Sequence, residues 1–428
     1  MNTADSRVEA EEGSPFEFLN RKIYAWLALC LGVACFFPGY LIARRAHLAK
    51  TAVTAADLPA IPDNAISLKP GPWGNLEAIP IRISPPEEYL PIKSLEEQGK
   101  RWSFVGYTPE MLMALFSKAG LSESQRAELL DSSKWSVSQQ GIVVRPSSEV
   151  IFSLSQNARR TIYDALLQIP ASGARSVTAY FRPERFDQRF GQSGLPKEVI
   201  QYVKDLSFPH GRLLYFCDAP WVLERIDNYE QKVLFIKTII AKSTLLLHLH
   251  VMPDSNVNSL LSYWSKAAWG KDIKPMLESL SKVPGGARID LVHLLPPLPT
   301  EWLYTFPFPS SNPVDALKDC HWVALNFFRD RPDLKLTDHE MMQKIFQNDY
   351  YPVISDARYG DLIQLVRPNG DIIHTAVFIA DDVVFTKNSA DSVGPYMLMR
   401  FQDMVDAFSV FIPEGENLRL VILRSKTF

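Results

Sequence analysis

The sequence predicts an α+β protein in three parts: an N-terminal transmembrane helix, an α/β middle domain, and a C-terminal domain in which one helix precedes an antiparallel sheet. Three observations predict it. Residues 23–43, IYAWLALCLGVACFFPGYLIA, carry no charge over about the twenty residues that cross a bilayer core. Helix and strand patterns alternate from 101 to 300. From 301 to 428 a helical stretch carrying Cys320 is followed by repeated strand and turn signals. With 428 residues, 46% of them hydrophobic and 22% charged, the chain can build more than one core. Its net charge of −3 offers no basic footprint for nucleic acid.

Residues 1–22 read as a tail. The apolar run is flanked by Arg21 and Lys22 before and Arg44 and Arg45 after, with Tyr24 and Trp26 at interfacial positions. It reads as an uncleaved single-span anchor. GVAC, ending at Cys35, weakly matches a lipoprotein box, but apolar residues continue past it and no small-x-small cleavage site follows cleanly. The basic residues are slightly heavier after the span, which taken alone puts the C-terminal bulk in the cytoplasm. Residues 44–100 hold LPAIPD, KPGPWG and IPIRISPPEEYLPI, and read as a Pro-rich linker running into an extended segment.

In the middle domain, TPEMLMALFSKAG predicts a helix capped by Thr108, with Pro109 in its first turn and Gly120 as its stop. SESQRAELLDSS predicts a second, opened by a capping box of Ser122 and Gln125. GIVVRP and EVIFSLS read as paired strands, and NARRTIYDALLQIP as a helix. NYEQKVLFIKTIIAK is helical, STLLLHLHVMP a buried strand, DSNVNSLLSYWSKA a helix capped by Asp254 or Ser255, IKPMLESLSKVPGG a helix and ARIDLVHLLPP a strand. His248 and His250 share one face of their strand, which is half of a metal site. His293 on the next strand is the available third ligand. Imidazoles within a strand more often serve as hydrogen-bonded sheet residues, so no metal is expected, and no other cofactor.

Four cysteines supply no disulfide framework: Cys30 and Cys35 fall in the apolar run, leaving Cys217 and Cys320. Cys217, in LYFCDAPW, follows an apolar strand and reads as a structural thiol. Cys320 differs. SNPVDALKDCHWVALNFF predicts a helix opened by Asn312 or Asp319, with Val323–Phe327 and Ala324–Phe328 as a core-facing stripe. Strands follow in YGDLIQLVRPNGDIIHTAVFIADDVVFTKNS, turning at Asn369–Gly370 and at Asp381–Asp382, and LRLVILRS is the last. A thiolate is scarce at neutral pH unless a helix N-terminus or an imidazolium stabilises it. His374 heads a strand whose ring can face the helix end. On the next strand Thr386 and Asn388 share a face, with Lys387 opposite, and either can orient the imidazole. The Asn388 amide oxygen is chemically the better acceptor, and Thr386 is the alternative.

Residues from about 312 to 425 resemble the NlpC-type family of papain-like cysteine peptidases and amidases. The resemblance is carried by Asp319-Cys320 at a helix start, Gly360-Asp361-Leu362 opening the first strand, and His374 leading an apolar strand. It implies a papain-like helix-and-sheet fold and metal-free hydrolysis of peptide or amide bonds, most often in bacterial cell-wall peptides. Cys320 would be the nucleophile, His374 the base, and Asn388 or Thr386 the third polar group. It also implies a catalytic domain outside the inner membrane, since cell-wall substrates require it there. The family usually follows the cysteine with a small residue and glycine, where this chain has His321 and Trp322, and its third position is often histidine. His321, rotated about 100° from Cys320 on a helix, is expected at the cleft rim. Tyr304 is a weak candidate oxyanion donor. The alternative to a hydrolase is a non-catalytic envelope binding or scaffold protein that keeps the fold.

Overall fold

The computed structural model describes residues 64–428, apart from 170–177, 267–269, 311, 313, 389–392, 410, 411, 413–415 and 428. The apolar run 23–43, with Cys30 and Cys35, lies outside the described residues. Among those described, no helix is long and apolar enough to cross a membrane. Residues from 61 onward form one compact unit.

The architecture is α+β, and every strand pairing described is antiparallel. The α/β expectation for residues 101–300 is therefore corrected: among the described residues no parallel pairing is found there. The alternation of helices and strands reflects hairpins and long-range pairs instead. Two three-stranded sheets occupy this region, Trp102–Val105 with Gly141–Val144 and Trp135–Ser138, and Ala179–Phe181 with Leu213–Phe216 and Phe208–His210. A four-stranded sheet joins Ile66–Ser67, Asn75–Ile83, Lys242–Val251 and Ala287–Asp290. Part of the expected linker thus becomes sheet: Asn75–Ile83 pairs along its whole length with Lys242–Val251.

Local signals behave as their chemistry dictates where they are capped. Thr108 caps Pro109–Lys118, and Ser122 with Gln125 forms a complete capping box on Glu123–Leu129. EVIFSLS is not a strand. Ser147 accepts from the Val150 amide and starts the helix Ser148–Ser153, because the cap follows directly on Pro146. Asn256, not Asp254 or Ser255, caps Val257–Trp264.

The C-terminal sheet has six strands in the order Tyr350–Val353, Arg419–Ser425, Leu362–Val366, Ile372–Ala380, Val383–Lys387, Tyr396–Arg400. One face packs on the helix Cys320–Asn326 through Val323, Ala324, Val377, Ile379 and Phe385; the same apolar core continues into the four-stranded sheet through Leu247 and Leu249 and into the helix Val257–Trp264 through Trp264. The other face, with Ile363, Ala376, Val384 and Met399, is covered by the helix Phe401–Ser409 through Met404 and Phe408. Gly360 has φ +86°, and a Cβ there would strike the Phe328 ring, so glycine is required for this close approach. Asp361 beside it is buried and paired with Arg424 at 2.7 Å, which ties the start of Leu362–Val366 to the neighbouring strand Arg419–Ser425.

Candidate active site

Asp319 is the N-cap of Cys320–Asn326, its carboxylate accepting from the amides of His321 and Trp322 at 2.9 and 3.0 Å. The cap places Cys320 at the first helical position, where the thiol is half-buried. It also occupies N–H groups that would otherwise favour a thiolate. In a helix of 7 residues, imidazoles rather than the helix end must charge the sulfur.

Two imidazoles do so. Burial pushes the Cys320 thiol up, but the charges of His321 and then of His374 outweigh it and bring the thiol down to about 5. His321 is itself raised to about 9: burial works against its charge, and the Cys320 thiolate and the Asp319 carboxylate overcome it. The rim position expected for His321 is corrected. The side chain is 9% exposed, and its Nδ1 lies 2.7 Å from the Thr375 hydroxyl, which also accepts from Gln364 at 3.5 Å. A helical rotation of 100° separates Cα vectors, but an imidazole is long enough to turn back along the helix.

His374 and Thr375 are consecutive on Ile372–Ala380 and point to opposite faces. Thr375 meets His321. His374 is fully buried, its ring stacked on Phe408 at 4.0 Å and its Nε2 2.7 Å from Thr386 Oγ1. Thr386 in turn donates to Asn388 Oδ1 at 3.3 Å. That direction makes Thr386 an acceptor from His374 Nε2–H, so the second ring nitrogen, Nδ1, carries the lone pair when the ring is neutral. Nδ1 is buried and has no other hydrogen-bond partner. Of the two expected third residues, Thr386 touches the ring and Asn388 stands behind it. Lys387 is buried on the opposite face.

The remaining sequence candidates separate from this site. Tyr304 donates to the Leu245 carbonyl at 2.7 Å and so is committed to the fold. Cys217 is buried and pairs only with the Thr178 hydroxyl at 3.3 Å; both thiols are free. His248 and His250 flank Glu77 of the neighbouring strand at 3.7 and 3.3 Å, with Arg288 3.5 Å from the same carboxylate. His293 is exposed and apart, and among the described residues no group of three His, Cys, Asp or Glu is placed to hold a metal. Sequence reasoning missed Thr375, Gln364 and Phe408. The dipeptides Cys320-His321 and His374-Thr375 were a signal for the first, since a strand alternation offers a second polar group on the helix-facing side.

No protein-family profile, curated protein or solved structure matches this chain. The NlpC resemblance therefore rests on the quoted residues alone, and the site stands on its own geometry: a cysteine behind the Asp319 cap, His321 held by Thr375 and His374 held by Thr386.

Proposed function

We propose that this chain is a cysteine hydrolase of peptide or amide bonds. The observation that carries the reading is the half-buried Cys320 thiol brought to about 5 by His321 and His374. Between about 5 and about 9 the resting site is a thiolate–imidazolium pair. The thiolate adds to the substrate carbonyl carbon. The Cys320 amide, which the Asp319 cap leaves unused, is the nearest donor for the resulting oxyanion. Collapse of this intermediate breaks the C–N bond, and the leaving nitrogen takes the imidazolium proton, giving a thioester and a free amine. The now neutral imidazole accepts a proton from water, the hydroxide equivalent attacks the thioester, and the acid leaves as the thiolate re-forms with an imidazolium beside it.

The same proposal puts the chain at the inner membrane as a single-pass protein held by residues 23–43, with its catalytic domain on the extracytoplasmic side and cell-envelope stem peptides as substrate. The apolar run and the NlpC resemblance support this part. A second reading, a non-catalytic binding protein, is favoured by one observation: His374 is wholly enclosed beneath Phe408. Iodoacetamide labelling of Cys320 against pH, alongside release of amines from peptidoglycan stem peptides by the full chain, decides between them. A labelling midpoint near 5 with Cys320-dependent amine release supports the hydrolase. An ordinary thiol midpoint without release sinks it.

A further inference from the structure

A cavity of 420 Å³ opens where Pro80–Arg82, the segment around Tyr180–Arg189, Lys242, and the C-terminal sheet with its covering helix come together. That size suits a small molecule. Five cationic side chains line it, Arg82, Arg182, Arg185, Arg189 and Lys242, against two carboxylates, Asp403 and Asp406. Both carboxylates are already committed to Arg182, Asp406 at 2.7 Å. The local excess of three positive charges stands in a chain whose net charge is −3.

The other four cations have no carboxylate partner among the described residues. Arg189 is half-buried and donates only to main-chain carbonyls, those of Thr238 and Ala241 at 2.7 Å and Ile239 at 3.0 Å. Its guanidinium is pulled down to about 10 by burial and then by the charge of Arg82. Arg82 gives Nη1 to the Arg189 carbonyl at 3.1 Å. The Lys242 ammonium sits 4.7 Å from the centre of the Tyr180 ring. Arg185 is exposed, and its side chain makes no hydrogen bond or ion pair among the described residues. Like charges gathered around a concave wall cost free energy when empty, and an anion placed among them relieves it. Guanidinium groups match carboxylate and phosphate oxygens through paired N–H donors.

We infer that this cavity is a binding site for a small, multiply charged anion bearing carboxylate or phosphate groups. It is lined by Asn388, the residue behind Thr386, but the inference does not depend on the hydrolase reading. Calorimetric titration of the full chain with citrate and, separately, with pyrophosphate tests it. One-to-one saturable binding of at least one probe is expected, weakened about tenfold or more by Arg82→Glu with Arg185→Glu. Arg185→Glu alone touches no contact of the fold and is expected to weaken it too. Preference for citrate marks a carboxylate ligand, and preference for pyrophosphate a phosphate one. Absence of saturable binding by either probe, or binding that both variants leave unchanged, overturns the inference.

Discussion

Cys217 is 2% exposed, just beyond the strand Leu213–Phe216, and Cys320 is half-buried at the start of Cys320–Asn326. Burial raises both thiols. At Cys217 burial outweighs the lowering by the Thr178 hydroxyl and the Asp218 carboxylate adds to the rise, so the sulfur stays protonated. At Cys320 the charges of His321 and then of His374 reverse the balance. Exclusion from water alone makes a thiol inert; the sign of the neighbouring groups decides whether it becomes a nucleophile. The surroundings differ in purpose too. Beneath Cys217, Arg159, Tyr163 and Asp218 form a fully buried network in which Arg159 pairs with Asp218 and also donates to the Ile151 carbonyl at 2.6 Å. Those groups stabilise one another and leave nothing for a substrate.

Seven substitutions sharpen this contrast. Cys320→Ala is expected to lower amide hydrolysis by about 10⁴-fold or more with little change in stability, whereas Cys217→Ala leaves turnover intact; steady-state kinetics on stem peptides reads both. Arg159→Met strands the Asp218 carboxylate in the core and should cost about 3–5 kcal/mol in urea denaturation, without moving the Cys320 labelling midpoint. His321→Ala should raise that midpoint from about 5 toward the ordinary thiol value, and His374→Ala should raise it less; equal shifts would contradict the ranking of the two rings. Thr386→Val should reduce kcat by about tenfold by freeing the His374 ring, and Asn388→Ala by less, since Asn388 acts only through Thr386.

The pH dependence follows from the same pair. Cys320 is depressed in the folded chain, so its stabilising share is lost as pH falls through about 5. His321 is raised from 6.5, so its share is complete below 6.5 and lost as pH rises through about 9. Both shares describe one ion pair: between 6.5 and about 9 the folded and unfolded chains hold the same number of protons on it, so stability should be flat there and fall as pH drops from 6.5 through about 5, while labelling rises through about 5 and stays high above it. Denaturation midpoints that ignore both limits would show that the pair does not form.

Caps and turns were legible because their chemistry is local. Thr108, the Ser122–Gln125 box and Asp319 each satisfy amides within three residues, and Asn369–Gly370 closes its hairpin with Gly370 at φ +93°. EVIFSLS misled because its apolar run fits either period, and Ser147 decided for helix. The linker misled because Asn75–Ile83 finds its partner more than 150 residues later in sequence, at Lys242–Val251.

The sequence by itself determined the candidate nucleophile, the strand that brings His374, and the pair Thr386 and Asn388 on one face, because alternation and capping act over a few residues. Only the tertiary structure decided that His321 reaches Thr375, that Thr386 rather than Asn388 meets His374, and that Phe408 closes over it. Those contacts depend on sheet register and on which face each helix covers, and both are fixed by residues far apart in the chain.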